Sequence, residues 1–216
     1  MREFPRTIKA AIFDFDGTIC DTESANSRYV QSIMRSYGIE LDEDELLSFV
    51  GGDDCVIVPP ILERWGVAQT LDDYLADIAR TSRIYRADPL EPFEGFYGFI
   101  RLLKERGMLC AVASSTAACD ILFALNRLRL VSSFDAVVCR EMVETLKPSP
   151  EPYLKTLELL GVEAGECVVF EDSSFGISAA QAAGIYTVAF TGSAIVQDVS
   201  AADASVGTWA EACSLF

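Results

Sequence analysis

The chain of 216 residues contains no histidine. That absence removes Ser-His and Cys-His nucleophile systems and disfavours a catalytic zinc site. Acid–base work is left to carboxylates, Lys, Tyr or Cys. Seven cysteines are present, but no Cys-x-x-Cys, and their number is odd. Several sit in apolar runs, where Cys acts as a small hydrophobe, so reduced thiols and a cytoplasmic location are expected. No apolar run reaches the roughly 18 residues of a membrane span, and Met1–Thr7 lacks a signal-peptide pattern. Basic residues are scarce: 17 Lys and Arg against 33 Asp and Glu give a net charge of −16. Nucleic acid and anionic membranes are therefore poor partners. An anionic substrate would need local cations to overcome the overall field.

What is present is a rhythm of strands and helices. The apolar run Ile8–Phe13 predicts a buried strand. Further strands are expected at Met108–Ala113, Ala136–Cys139, Cys167–Glu171 and Tyr186–Phe190. Helical patterns fall at Phe93–Arg106, Thr116–Leu128, Pro150–Leu160 and Ser174–Ala183. This alternation implies an α/β doubly wound parallel sheet, a Rossmann-like core. Between residues 22 and 88 the patterns are only helical, as at Val30, Ile33, Met34 and Tyr37, and from Leu71 through Tyr85. Pro59-Pro60 predicts a kink or break in a helix over Asp54–Trp65. The expected division is a core of 1–20 and 90–216 with an inserted all-helical cap domain at 21–89. The segment Ser193–Ser205 reads as loop or weak helix.

Residues just past parallel strands converge at one sheet edge. Four such loops carry polar groups: Asp14 and Asp16; Ser114, Ser115 and Thr116; Lys147; and Glu171 with Asp172. Carboxylates suit Mg²⁺, hydroxyls and helix-start N–H groups suit phosphate oxygens, and a lysine adds a point charge. Taken singly, each has a plainer reading. Ser114 and Ser173 suit helix N-caps, Lys147 an exposed turn, and Glu171-Asp172 a helix dipole.

Asp14-Phe15-Asp16-Gly17-Thr18, Ser114, Lys147-Pro148-Ser149-Pro150 and Glu171-Asp172-Ser173-Ser174-Phe175-Gly176-Ile177 together resemble the four motifs of the haloacid dehalogenase-like hydrolases. The nearest likeness is to the subgroup of beta-phosphoglucomutase and sugar-phosphate phosphatases, whose small helical cap sits where the insert falls. The resemblance implies a Mg²⁺-dependent phosphatase acting through an aspartyl phosphate. Asp14 would be the nucleophile and Asp16 the acid and base. Thr18, Ser114, Ser115 and Lys147 would serve the phosphoryl group. Asp14, Asp16, Asp172 and Glu171 would supply the metal site. Dehalogenases of this fold lack an aspartate two residues after the nucleophile, so Asp16 favours phosphoryl transfer. The phosphonate-cleaving relatives need a cap lysine, and none lies between Lys9 and Lys104.

The mutase pattern is broken in two places. Asn26 stands where the mutase has a cap histidine, and Gly51-Gly52-Asp53-Asp54 carries acids in place of a phosphate-gripping arginine. An acid there would repel a second phosphate. Hydrolysis is therefore preferred over mutase chemistry, and a non-catalytic phospho-acceptor module is the alternative of another class. Candidate cap contacts are Asn26, Gly51, Asp53, Asp54 and Arg83, the last on a helix that also carries Arg80 and Arg86. A small phosphorylated metabolite is the expected partner, with the chain a monomer or small homo-oligomer.

Overall fold

The computed structural model describes residues 3–81, 84–86, 90–195 and 197–216. Strand β1 spans Ala10–Phe13. Four helices follow it: α1 (Glu23–Ser36), α2 (Glu43–Ser48), α3 (Asp54–Trp65) and α4 (Leu71–Thr81). Then come α5 (Phe96–Glu105), β2 (Leu109–Ala113), α6 (Ala118–Arg127), β3 (Ala136–Val138) and α7 (Glu151–Leu160). The chain closes with β4 (Cys167–Glu171), α8 (Ser174–Ala182), β5 (Tyr186–Phe190), β6 (Ala204–Val206) and α9 (Trp209–Ala212). The sheet order is β3-β2-β1-β4-β5-β6, and every pairing is parallel.

The strands are apolar on both faces because both faces are covered. On one face Phe13, Val112 and Phe170 pack against Phe96 and Phe99 of α5 and Trp209 of α9. Phe13 stacks on Phe170 with centroids 5.3 Å apart. Each fully buried aromatic of this kind contributes about 1.5–3 kcal/mol. On the other face Ile12, Ala111 and Val169 meet Tyr153 and Leu157 of α7 and Ala179 and Ala180 of α8. Helices α1–α4 surround an apolar cluster of their own, including Val30, Met34, Phe49, Val58 and Tyr74. No described helix is long and apolar enough to cross a membrane. All seven cysteines are free.

Two local expectations are corrected. Helix α3 runs through Pro59 and Pro60 without interruption. Both prolines are exposed, as are Cys55 and Val56, so water can take the carbonyls that lose their N–H partners. The end of the segment read as loop or weak helix enters the sheet as β6. Ala204 and Ser205 have weak strand propensity, and pairing with β5 at Val188–Phe190 fixes the strand. Helix α2 starts at a capping box between Asp42 and Glu45.

The register sets the site. Phe13 lies level with Val112 on one side and Phe170 on the other. The next residues, Asp14, Ala113 and Glu171, therefore reach the same sheet edge together.

Candidate active site

Asp14 leaves β1 with its N–H still bonded to the Phe170 carbonyl at 3.0 Å. Its carboxylate is buried and faces Lys147, whose Nζ lies 2.5 Å from Asp14 Oδ1 and 2.6 Å from Glu171 Oε1. Lys147 is only 3% exposed, which excludes the exposed-turn reading. Glu171 is fully buried and held from several sides. Tyr153 Oη donates to Oε1 at 2.9 Å, and the Ser173 N–H and hydroxyl donate to Oε2 at 3.1 and 3.0 Å. Gly176 lets α8 approach that carboxylate, since a Cβ at this position would overlap it. Ser173 also caps α8 through Gly176 N–H at 3.0 Å.

Asp172 sits beside this cluster. Thr18 donates to its Oδ1 at 2.9 Å, while its buried Oδ2 has no partner. Gly17, at φ +80°, leaves room for that carboxylate, which a Cβ would strike. Thr18 is thus a buried support for Asp172 and does not line the cavity above these residues. Asp14, Glu171 and Asp172 can present ligand atoms within 4.8 Å of one another. Asp16 is absent from this grouping among the described residues. Its side chain is taken by three hydroxyls: Thr22 and Tyr85 donate to Oδ1 at 2.5 and 2.8 Å, and Thr116 to Oδ2 at 2.9 Å. The side chain expected as a metal ligand is committed elsewhere. Thr116, grouped in sequence with Ser114 and Ser115 as a candidate for phosphate oxygens, donates to Asp16 and also lines the cavity.

The electrostatics follow from burial. Burial pushes the Asp14 carboxyl up to about 8, with Glu171 and Asp16 adding to it and Lys147 pulling the other way. Burial, then Glu171, Asp14 and Glu23, hold Asp172 well above the usual carboxylate range. Burial raises Asp16 too, against its three hydroxyl donors. Burial opposes the charge on Lys147, but Asp14 and Glu171 outweigh it and keep the ammonium protonated. One ammonium cannot neutralise this many acids. The unpartnered Asp172 Oδ2 and the all-oxygen donor set fit a hard divalent cation such as Mg²⁺.

Above these residues lies a cavity of about 490 Å³ between the sheet edge and the helical insert. Asp14, Asp16, Ser114, Ser115 and Lys147 line its floor. Ser115 Oγ is buried and unpartnered, and so available as a donor. Ser114 Oγ accepts from Thr116 N–H at 3.0 Å and caps no helix. Asn26, Gly51 and Asp54 reach the wall from the insert. Asp53 does not line the cavity, because its carboxylate caps α3 through Cys55 N–H at 2.9 Å. Gly51 also packs closely on Ser173, where a Cβ would come within 2.6 Å. Arg83 lies outside the described residues. Arg80 pairs with Asp77 at 2.6 Å and does not line the cavity. Arg86 lines it but reaches Asp120 at 3.4 Å and covers the Phe123 ring.

Three lining residues escaped sequence reasoning. Glu23 is 5% exposed with Oε2 unpartnered, and burial and Asp16 hold it well above its ordinary range. Its place in Asp21–Asn26, just after the first loop, is the signal that could have found it. Tyr85, expected within a helical stripe, lies in a turn beyond α4. Arg140 follows β3, and the rule that strand-end loops converge applies to it as well.

A family model described as haloacid dehalogenase-like hydrolase matches residues 11–190. The chain is 32% identical over 178 residues to a phosphorylated carbohydrates phosphatase of Thermotoga maritima, covering 82% of each. It is 33% identical over 183 residues to the fructose-1-phosphate phosphatase YqaB of Escherichia coli, covering 82% of this chain and 93% of that protein. The structure of CbbY from Rhodobacter sphaeroides in complex with phosphate shares the fold at a TM-score of 0.79 and 24% identity, covering 95% and 96% of the two chains.

Proposed function

The chain belongs to the haloacid dehalogenase-like hydrolase family, and from that premise we propose that it is a phosphatase for a small phosphorylated carbohydrate, with residues 21–89 as the cap over the site. The observation that carries this reading is the pairing of two aspartates with separate partners. Asp14 faces Lys147 at the cavity floor, whereas Asp16 is held by hydroxyls and stays out of the ion pair. A nucleophile and a proton carrier need those two environments. Relatives that hydrolyse phosphorylated carbohydrates support the substrate class.

The Asp14 carboxylate attacks phosphorus, and the bond to the leaving oxygen breaks as that oxygen takes a proton from Asp16. Asp16, now ionised, accepts a proton from the water that attacks the aspartyl phosphate, releasing phosphate and restoring Asp14. Ser114, Ser115 and Lys147 hold the phosphoryl oxygens as charge shifts between them. Asp14 and Asp172 would hold Mg²⁺, with Glu171 orienting Lys147 beside it; the ion would neutralise phosphoryl charge that Lys147 alone leaves unbalanced. Glu23 and Asn26 offer acceptors for sugar hydroxyls. The insert excludes water from the floor, and Gln197 ties it to the core by donating to the Val50 carbonyl at 2.9 Å while accepting from Ser174 N–H at 2.9 Å.

The test is a screen of phosphorylated carbohydrates with Mg²⁺, following phosphate release. Release that Asp14→Asn abolishes supports the reading. Isomerisation of beta-glucose 1-phosphate with a bisphosphate activator, in place of release, would replace it with the mutase. Turnover retained by Asp14→Asn would exclude the covalent route.

A further inference from the structure

We propose that Arg140 is a second anion-binding point in the cavity and that the substrate's leaving group carries an acidic group of its own, a carboxylate or a further phosphate. This rests on the phosphatase reading above and deepens it.

Arg140 opens a short 3-10 turn, Arg140–Met142, immediately after β3. Its backbone N–H donates to the Thr116 carbonyl at 3.2 Å, and its Nε donates to the Ser115 carbonyl at 3.0 Å. The stem of the side chain is thereby fixed to the loop that carries Ser114 and Ser115. The terminal guanidinium nitrogens make no hydrogen bond or ion pair among the described residues. The neighbouring Glu141 accepts from Ala118 N–H at 2.9 Å.

The other cations on the cavity each have an acidic partner. Lys147 is held by Asp14 and Glu171, and Arg86 by Asp120 and the Phe123 face. Among the described residues, Arg140 is the lining cation with no ion pair. Around it the cavity presents Asp14, Asp16, Glu23, Asp54 and Asp120. Asp54, from α3, is the acid of the insert whose charge Arg140 offsets, though no ion pair joins them. With Nε engaged, the terminal edge of the guanidinium is free and matches a carboxylate or phosphate in bidentate geometry. The arginine absent from Gly51-Gly52-Asp53-Asp54 is thus supplied by the core.

The experiment measures kcat/KM of the Mg²⁺-loaded enzyme on three compounds of similar size: a phosphorylated sugar acid, a sugar bisphosphate and a neutral sugar phosphate. The expected result is preference for an acid-bearing compound over the neutral one. Arg140→Gln should lower that preference ratio about 10- to 100-fold, mainly through KM, as for loss of a charge-assisted hydrogen bond. Arg140→Lys should retain part of it. Which acidic compound leads separates carboxylate from phosphate. A ratio unchanged by Arg140→Gln overturns the proposal, and so does an Arg140–Asp54 latch, seen as equal loss on all three compounds. Should Arg140→Gln not fold, the wild-type ratio decides: preference for the neutral compound overturns it. Calorimetric binding of the same three compounds to Asp14→Asn reads Arg140 without turnover. Absent turnover with retained acid preference in binding would sink the phosphatase reading alone.

Discussion

The hydroxyl of Tyr85 donates to Oδ1 of Asp16 at 2.8 Å, across 69 residues of chain. Thr22 donates to the same oxygen from the start of the insert. The two ends of the helical insert thus meet at the residue proposed to move protons. The Tyr85 ring packs on Phe15 with centroids 6.1 Å apart, and its carbonyl accepts from Arg127 at 3.4 Å.

Tyr85→Phe keeps the ring contact and removes one hydrogen bond to Asp16. We expect kcat to fall about 10-fold with little change in melting temperature. Steady-state kinetics beside thermal unfolding checks this; an unchanged kcat would show that Tyr85 does not position Asp16.

Lys147→Met leaves Asp14 and Glu171 buried without their cation. Breaking a buried pair from one side costs about 3–5 kcal/mol, so urea midpoints should drop sharply at pH 7. The loss should grow as pH rises past about 8, where Asp14 ionises beside Lys147 in the wild-type protein but is held neutral without it. Equal destabilisation at pH 7 and pH 9 would contradict the charge argument.

Gly176→Ala puts a methyl group onto the Glu171 carboxylate. Overpacking of this kind costs about 1–3 kcal/mol, and displacing Glu171 also releases Lys147. Both stability and phosphate release should fall. Full activity in a stable Gly176→Ala protein would mean that the close approach of α8 is dispensable.

Mg²⁺ should raise the melting temperature by relieving repulsion between Asp14 and Asp172. At about 100 times its dissociation constant, a native-state ligand stabilises by about 2.7 kcal/mol. Chelation should abolish phosphate release and Mg²⁺ restore it, while Asp172→Asn should remove the thermal shift. A shift that survives Asp172→Asn would place the ion elsewhere.

Asp54 gives a pH signature. Burial raises its carboxyl to about 6, with Arg140 opposing and Asp53 adding. A raised carboxyl favours the protonated form in the folded state, so its contribution is greatest below the unfolded value near 4. Stability then declines as pH climbs from about 4 to 6 and levels off above. Asp54→Asn should flatten that decline in denaturant titrations across this range; an unaltered profile would count against it.

Phe13 followed by Asp14 and Asp16, Lys147 after β3, and Glu171-Asp172 ending β4 were legible in sequence because strand order brings strand ends together. Apolar runs fix which segments are buried, and in parallel sheets the loops past them share one edge. That logic places four loops near one another. It does not orient a side chain. Thr18 and Thr116 look alike as hydroxyls, yet one supports Asp172 and the other Asp16. β6 is decided by pairing with β5, and α3 tolerates two prolines because their side faces water.

By itself, then, the sequence determined the parallel sheet, the helical interruption after the first strand and the cluster of acids with one lysine, since each follows from local periodicity and loop placement. Only the tertiary structure decided which acid meets Lys147, which is wrapped in hydroxyls, and that Arg140 lines the cavity with open donors. Those outcomes depend on contacts between residues far apart in the chain, and no local pattern encodes them.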